Sequence, residues 1–131
     1  VVGPVVNADV AKLCNRRKIA YSPGCGSASE ISYAEELGCE IVKLFPGASV
    51  GGPDFVKAIL GPMPWSKIMP TGGVEPTEAS LKAWFGAGIV ACGVGSNLVT
   101  KDLLAAKDYK GISKKVRETI AMIKSIRGAK A

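Results

Sequence analysis

The feature that most constrains this chain is a cadence. Short apolar runs recur at Val1-Val2, Ile19-Tyr21, Glu40-Phe45, Lys67-Met69 and Gly88-Val94, each trailed by an amphipathic stretch. After the first, their starts lie roughly 20 to 25 residues apart, the length of a strand, a turn and a helix. Helix signals fill the gaps. Asn7 precedes Val10, Leu13 and Cys14, and Ser27 with Glu30 forms a capping box before Ile31, Ala34 and Leu37, closed by Gly38. Pro53 and Pro76 mark first helical turns ahead of Phe55, Val56, Ile59 and Leu60, and of Leu81, Trp84 and Phe85. A last helix from about Ser113 to Arg127 places Val116, Ile120, Ile123 and Arg127 on one stripe, with most of its cations off it.

Near-continuously apolar strands that alternate with helices require a parallel sheet covered by helices and joined by right-handed crossovers. The strand ends carry Pro23-Gly24, Pro46-Gly47, Pro70-Thr71-Gly72-Gly73 and Gly93-Val94-Gly95-Ser96. Gly/Pro-rich loops at that end are where (β/α)8 barrels, the TIM-barrel class, assemble their sites, so an α/β barrel is expected, with a doubly wound sheet as the alternative. About five of the eight strands fit in 131 residues, so residues 1–131 read as one domain, the C-terminal part of a barrel. The chain opens on Val1-Val2-Gly3-Pro4, without Met and at a strand end, and reads as truncated or partly recorded.

Composition narrows the function. The 47% of hydrophobic residues supply a core, and the sixteen glycines and eight prolines punctuate elements rather than forming low-complexity blocks. The net charge of +6 is scattered and aromatic residues make up only 6%. That pattern argues against nucleic acid and for a small anionic substrate. No apolar run approaches the roughly 20 residues that cross a bilayer, and no signal segment opens the chain, so no membrane partner and a cytoplasmic location are expected. Cys14, Cys25, Cys39 and Cys92 form no C-x-x-C pair and histidine is absent. No metal or cofactor is expected, and the thiols read as reduced and mostly buried.

Lys43 is the residue that asks for a chemical reason. It lies between Val42 and Leu44, just before Phe45-Pro46-Gly47, in the interior of an apolar strand where a charged side chain is costly. Alternation puts Ile41, Lys43 and Phe45 on one face and leaves Val42 and Leu44 to meet the helices. Burial and nearby positive charge favour the neutral form of an amine, which attacks a ketone to give an imine, an electron sink for carbon–carbon cleavage. A snorkelling or carboxylate-paired lysine is the structural alternative. Lys67, which opens its strand, reads as structural. Two Gly-rich strand ends, Pro70-Thr71-Gly72-Gly73 and Gly93-Val94-Gly95-Ser96, offer backbone N–H groups to an anion, the second leading into Asn97-Leu98-Val99 as a short helix.

Taken together, Val42-Lys43-Leu44-Phe45-Pro46-Gly47, Pro70-Thr71-Gly72-Gly73-Val74 and Gly93-Val94-Gly95-Ser96, with Pro23-Gly24 before Ser29-Glu30, resemble the KDPG/KHG aldolase family over nearly the whole chain. The resemblance implies that Lys43 forms a Schiff base with pyruvate, that Pro4, Phe45 and Thr71 line the substrate pocket, and that Gly72, Gly73, Gly95 and Ser96 hold the phosphate. It further implies a phosphorylated keto acid as substrate and a homotrimer. Gly3 stands where the family often has serine, and Cys25 where an apolar residue is usual. The general base has no candidate here: the carboxylates fall on helices or their starts, and Glu40 has the wrong strand parity. The resemblance places that base upstream of Val1. The rivals are a catalytically silent phosphate-binding half-barrel or assembly module, and an isomerase, which would need a base at a strand end.

Overall fold

Five segments line up side by side in sequence order, and three of them form the sheet of the computed structural model, which describes residues 1–128. These are β1 (Gly24–Cys25), β2 (Val42–Leu44) and β3 (Ile68–Pro70), parallel and in the order β1-β2-β3. Parallel bridges extend the array at both margins, Val2 with Ser22 and Thr71 with Gly93. The order never reverses among the described residues, whereas a doubly wound sheet reverses at its binding crevice. β1 is short because Pro23 has no N–H for the ladder, although its carbonyl still accepts from the Lys43 N–H at 3.0 Å.

The helices are α1 (Ala8–Arg17), α2 (Ala28–Glu36), α3 (Gly52–Leu60), α4 (Glu78–Ala87), α5 (Lys101–Ala105) and α6 (Tyr109–Gly128). Their starts follow the chemistry of the capping residues. The Asn7 side chain accepts from the Asp9 and Val10 N–H groups at 3.0 Å each. Ser27 Oγ accepts from the Glu30 N–H at 3.3 Å, while Glu30 Oε2 reaches back to the Gly26 N–H at 2.7 Å, one residue before the usual partner in a capping box. Pro53 lies in the first turn of α3, as expected. Val42 and Leu44 of β2 are fully buried against a core that includes Ala11, Ile31, Val56, Leu81 and Trp84 from four helices. No helix among the described residues is long and apolar enough to cross a membrane.

Several sequence expectations shift. The second strand lies over Ser22 to Cys25 rather than Ile19 to Tyr21, so Gly24 belongs to the sheet. Pro76 stands before the N-cap Thr77 instead of in the first turn of α4, because the Thr77 hydroxyl takes the Ser80 N–H. Gly88 is the left-handed C-cap of α4, which leaves only Gly93 of the Gly88-Val94 run bridged. Glu40 precedes β2 and is exposed. Asn97-Leu98-Val99 make one turn on the Gly95 carbonyl, not a helix. The last helix is longer than Ser113–Arg127, and its inward stripe runs through Thr119, Met122, Ile123 and Ile126, leaving Ile120 46% exposed.

Candidate active site

In a parallel sheet without reversal, every strand delivers its C-terminal end to the same edge, and the singled-out residues gather there for that reason. Lys43 is in the middle of β2, paired in register with Gly24 on one side and Met69 on the other. Its neighbours Val42 and Leu44 face the helices, so its own side chain lies on the opposite face with Ile41 and Phe45. The residue is 9% exposed. Nζ donates to the Gly3 carbonyl at 3.3 Å and sits 4.3 Å from the centroid of the Phe45 ring. That ring face is a site of favourable potential for a cation. Among the described residues Lys43 forms no ion pair.

The neighbouring strand ends are tied to β2 by backbone. The Gly47 N–H donates to the Thr71 carbonyl at 2.8 Å, and the Ala48 N–H to the Gly72 carbonyl at 3.0 Å. Gly72 and Gly73 have φ of +88° and +79°, a conformation that leaves their loop open to glycine alone at low cost. A Cβ on Gly73 would lie 2.2 Å from Ala48 Cβ, and one on Gly93 would lie 2.5 Å from Thr71 Oγ1. Glycine at 93 thus leaves room for the threonine hydroxyl on the adjacent strand. Gly95 and Ser96 are exposed just beyond, with open space around Gly95. Pro4 lies at the other margin of the array, its backbone over Gly24.

Seven of the eleven side-chain carboxylates have partners other than Lys43. Asp9, Asp54, Glu78 and Glu118 pair with Lys12, Lys57, Lys82 and Lys114 on helix surfaces. Glu30 caps α2, Glu35 accepts from Trp65 Nε1 at 3.3 Å, and Asp108 accepts from the Gly111 N–H. Glu36, Glu40, Glu75 and Asp102 are exposed. Cys25 lies beside this edge but is inert, its thiol pushed up to about 12 chiefly by burial and also by the nearby Glu30 charge. A cleft of about 580 Å³ opens at the opposite edge, lined by Lys18, Tyr21, Ser22, Glu40 and Ile41 among others, and Lys43 is not in its lining. The partner that sequence reading missed is the Gly3 carbonyl, since nothing in a sequence marks a main-chain oxygen as the acceptor for a side chain 40 residues on.

A parallel α/β sheet with a buried lysine and Gly-rich loops at one edge defines the class, and comparison with known proteins gives the family. The chain belongs to the KDPG and KHG aldolase family, which it matches over residues 1–115. It is 38% identical to the 2-dehydro-3-deoxy-phosphogluconate aldolase of Haemophilus influenzae over 95% of this chain and 58% of that protein. Among solved structures, a 4-hydroxy-2-oxoglutarate/2-dehydro-3-deoxyphosphogluconate aldolase superposes with a TM-score of 0.78 at 28% identity, over 93% of this chain and 57% of the other. KDPG aldolase from Legionella pneumophila, solved with pyruvate captured as a covalent carbinolamine, gives 0.77 at 25% identity, over 87% and 54%. The chain therefore spans somewhat over half the length of these relatives.

Proposed function

We propose that this chain carries the imine-forming part of a class I, pyruvate-type aldolase, with Lys43 as the Schiff-base nucleophile in a five-strand sector of a (β/α)8 barrel. The observation that carries the reading is the setting of Lys43, a buried lysine inside a strand whose amine rests on a main-chain carbonyl and meets no carboxylate among the described residues. A structural lysine at such a position would be expected to find a carboxylate or to extend into water. The covalent carbinolamine of pyruvate in the Legionella relative supports the same chemistry here.

In this reading the neutral amine adds to the C2 carbonyl of the substrate, and loss of water gives an iminium ion. A base takes the proton of the C4 hydroxyl, the C3–C4 bond breaks, and its electron pair moves into the iminium to give an enamine. Protonation at C3 and addition of water then release pyruvate and free Lys43. The substrate is 2-keto-3-deoxy-6-phosphogluconate, yielding glyceraldehyde 3-phosphate as the second product, or 4-hydroxy-2-oxoglutarate, yielding glyoxylate. Pro4, Phe45 and Thr71 line the keto-acid pocket, and the N–H groups of Gly72, Gly73 and Gly95 with the Ser96 hydroxyl hold the phosphate. The base is a carboxylate from outside residues 1–131, and the assembly is a cytoplasmic homotrimer.

Reduction with borohydride in the presence of pyruvate, followed by peptide mass mapping, tests the reading. The expected result is a reduced pyruvate adduct on Lys43. A folded protein that gives none is instead a silent phosphate-binding module.

A further inference from the structure

Of the strand ends at this edge, one is crossed by the backbone of another segment. A Cβ on Gly24 would stand 2.0 Å from the Pro4 carbonyl oxygen, 2.3 Å from its carbon and 3.0 Å from Pro4 Cα. All three are main-chain atoms, so no change of rotamer relieves the clash. Gly24 is not among the glycines with positive φ, so its backbone conformation is open to other residues and the demand for glycine is one of space alone.

Gly24 is the register partner of Lys43, and partners in a parallel pair point Cβ to the same face of the sheet. The space that a side chain at 24 would fill is therefore beside the Lys43 stem, and the Gly3-Pro4 backbone fills it. The Gly3 N–H bonds the Ser22 carbonyl at 3.2 Å, while its own carbonyl reaches past β1 to Lys43 Nζ.

We propose that Gly24 is a positioning residue for the imine-forming lysine. It admits the Gly3-Pro4 backbone onto the inner face of the sheet, where the Gly3 carbonyl holds one N–H of Lys43 and thereby aims the nitrogen lone pair. The inference rests on Lys43 forming the imine. The carbonyl keeps its role through that step. The nitrogen lone pair forms the C–N bond, one N–H proton passes to the keto oxygen, and one proton from solvent lets that oxygen leave as water. The iminium nitrogen retains a single N–H, which the Gly3 carbonyl accepts, fixing the plane of the C=N bond beside the Phe45 ring.

The test follows borohydride trapping by the whole chain as a function of pyruvate concentration. In Gly24→Ala the maximal trapping rate is expected to fall about tenfold to a hundredfold because the nitrogen is misaimed, and half-saturating pyruvate to rise as well because the new Cβ also displaces Pro4 of the pocket. Gly26→Ala, just beyond the end of β1, is the control. Its Cβ would make only ordinary contacts of 3.4 Å and beyond, and the rate is expected to stay within about twofold. A second protein keeps every side chain. A thioamide at Gly3, built into a synthetic peptide of residues 1–13 and ligated to the remainder at Cys14, weakens the acceptor without touching Gly24. Its maximal rate is expected to fall about threefold to tenfold at unchanged half-saturation. If the thioamide chain matches the unmodified chain, the inference is overturned, whether or not Gly24→Ala folds. If the unmodified chain itself traps no pyruvate, the imine reading fails instead.

Discussion

The two edges of the sheet use similar residues to opposite ends. At the N-terminal edge Lys67 and Glu40 are exposed, and a cleft opens between the loops that lead into β1 and β2. At the C-terminal edge Lys43 is buried and its amine is held, while the loops around it are closed by main-chain hydrogen bonds and by glycines too crowded to bear a side chain. Lys43 lies within β2 and Lys67 immediately precedes the adjacent β3. Register separates them: Ile68 pairs with Val42, so Lys67 sits below the level of Val42 and Lys43 above it. Position along the strand decides whether a lysine is a solvated charge or a candidate nucleophile.

The largest effect expected on this contrast comes from exchanging the two lysines' fates. Lys43→Ala is expected to lower pyruvate trapping by about a thousandfold or more, and Lys67→Ala to leave it within about twofold; equal losses would break the contrast. The two faces of β2 give the next test. Leu44→Ala should destabilise the protein by about 3 kcal/mol in a denaturant titration. Phe45→Ala should cost less than about 1 kcal/mol yet slow trapping about tenfold, since the 36% exposed ring touches the amine more than the core.

The crowded and open glycines sharpen the picture further. Gly73→Ala, at φ +79° and against Ala48, is expected to lose about 2 kcal/mol, whereas Gly95→Ala meets open space and should lose less than about 0.5 kcal/mol in the same titration. The smallest effect concerns Cys25, whose thiol is held up to about 12. The unfolded chain releases that proton near pH 8.5 or so, while the folded chain retains it. The folded state therefore binds more protons between those values, and the stability contributed by Cys25 is complete below about pH 8.5 and lost as pH rises toward 12. Cys25→Ala should flatten the alkaline fall in the denaturation midpoint, and an unchanged slope would place the thiol in contact with solvent.

Much of the fold was readable because its signals are local. The Asn7 and Ser27 caps, Pro53, and the alternation of Val42, Lys43 and Leu44 depend on residues within a few positions of one another. Errors arose where a contact distant in sequence outweighed local pattern. Ile120 fits a helical stripe, but packing of α6 against α4 turns Thr119 and Met122 inward beside the expected Ile123 and leaves Ile120 exposed. The Ile19-Tyr21 run is apolar, yet the pairing of Ser22 with Val2 sets the strand further along.

The sequence by itself determined that strands and helices alternate, that the sheet is parallel, and that a lysine occupies an apolar strand just before a Gly/Pro loop. Those follow from periodicity, propensity and the cost of burying charge. Only the tertiary structure decided what the lysine's amine rests on and why Gly24 must lack a side chain. Both depend on the Gly3-Pro4 backbone crossing a neighbouring strand, a contact between main-chain atoms whose composition is the same in every sequence.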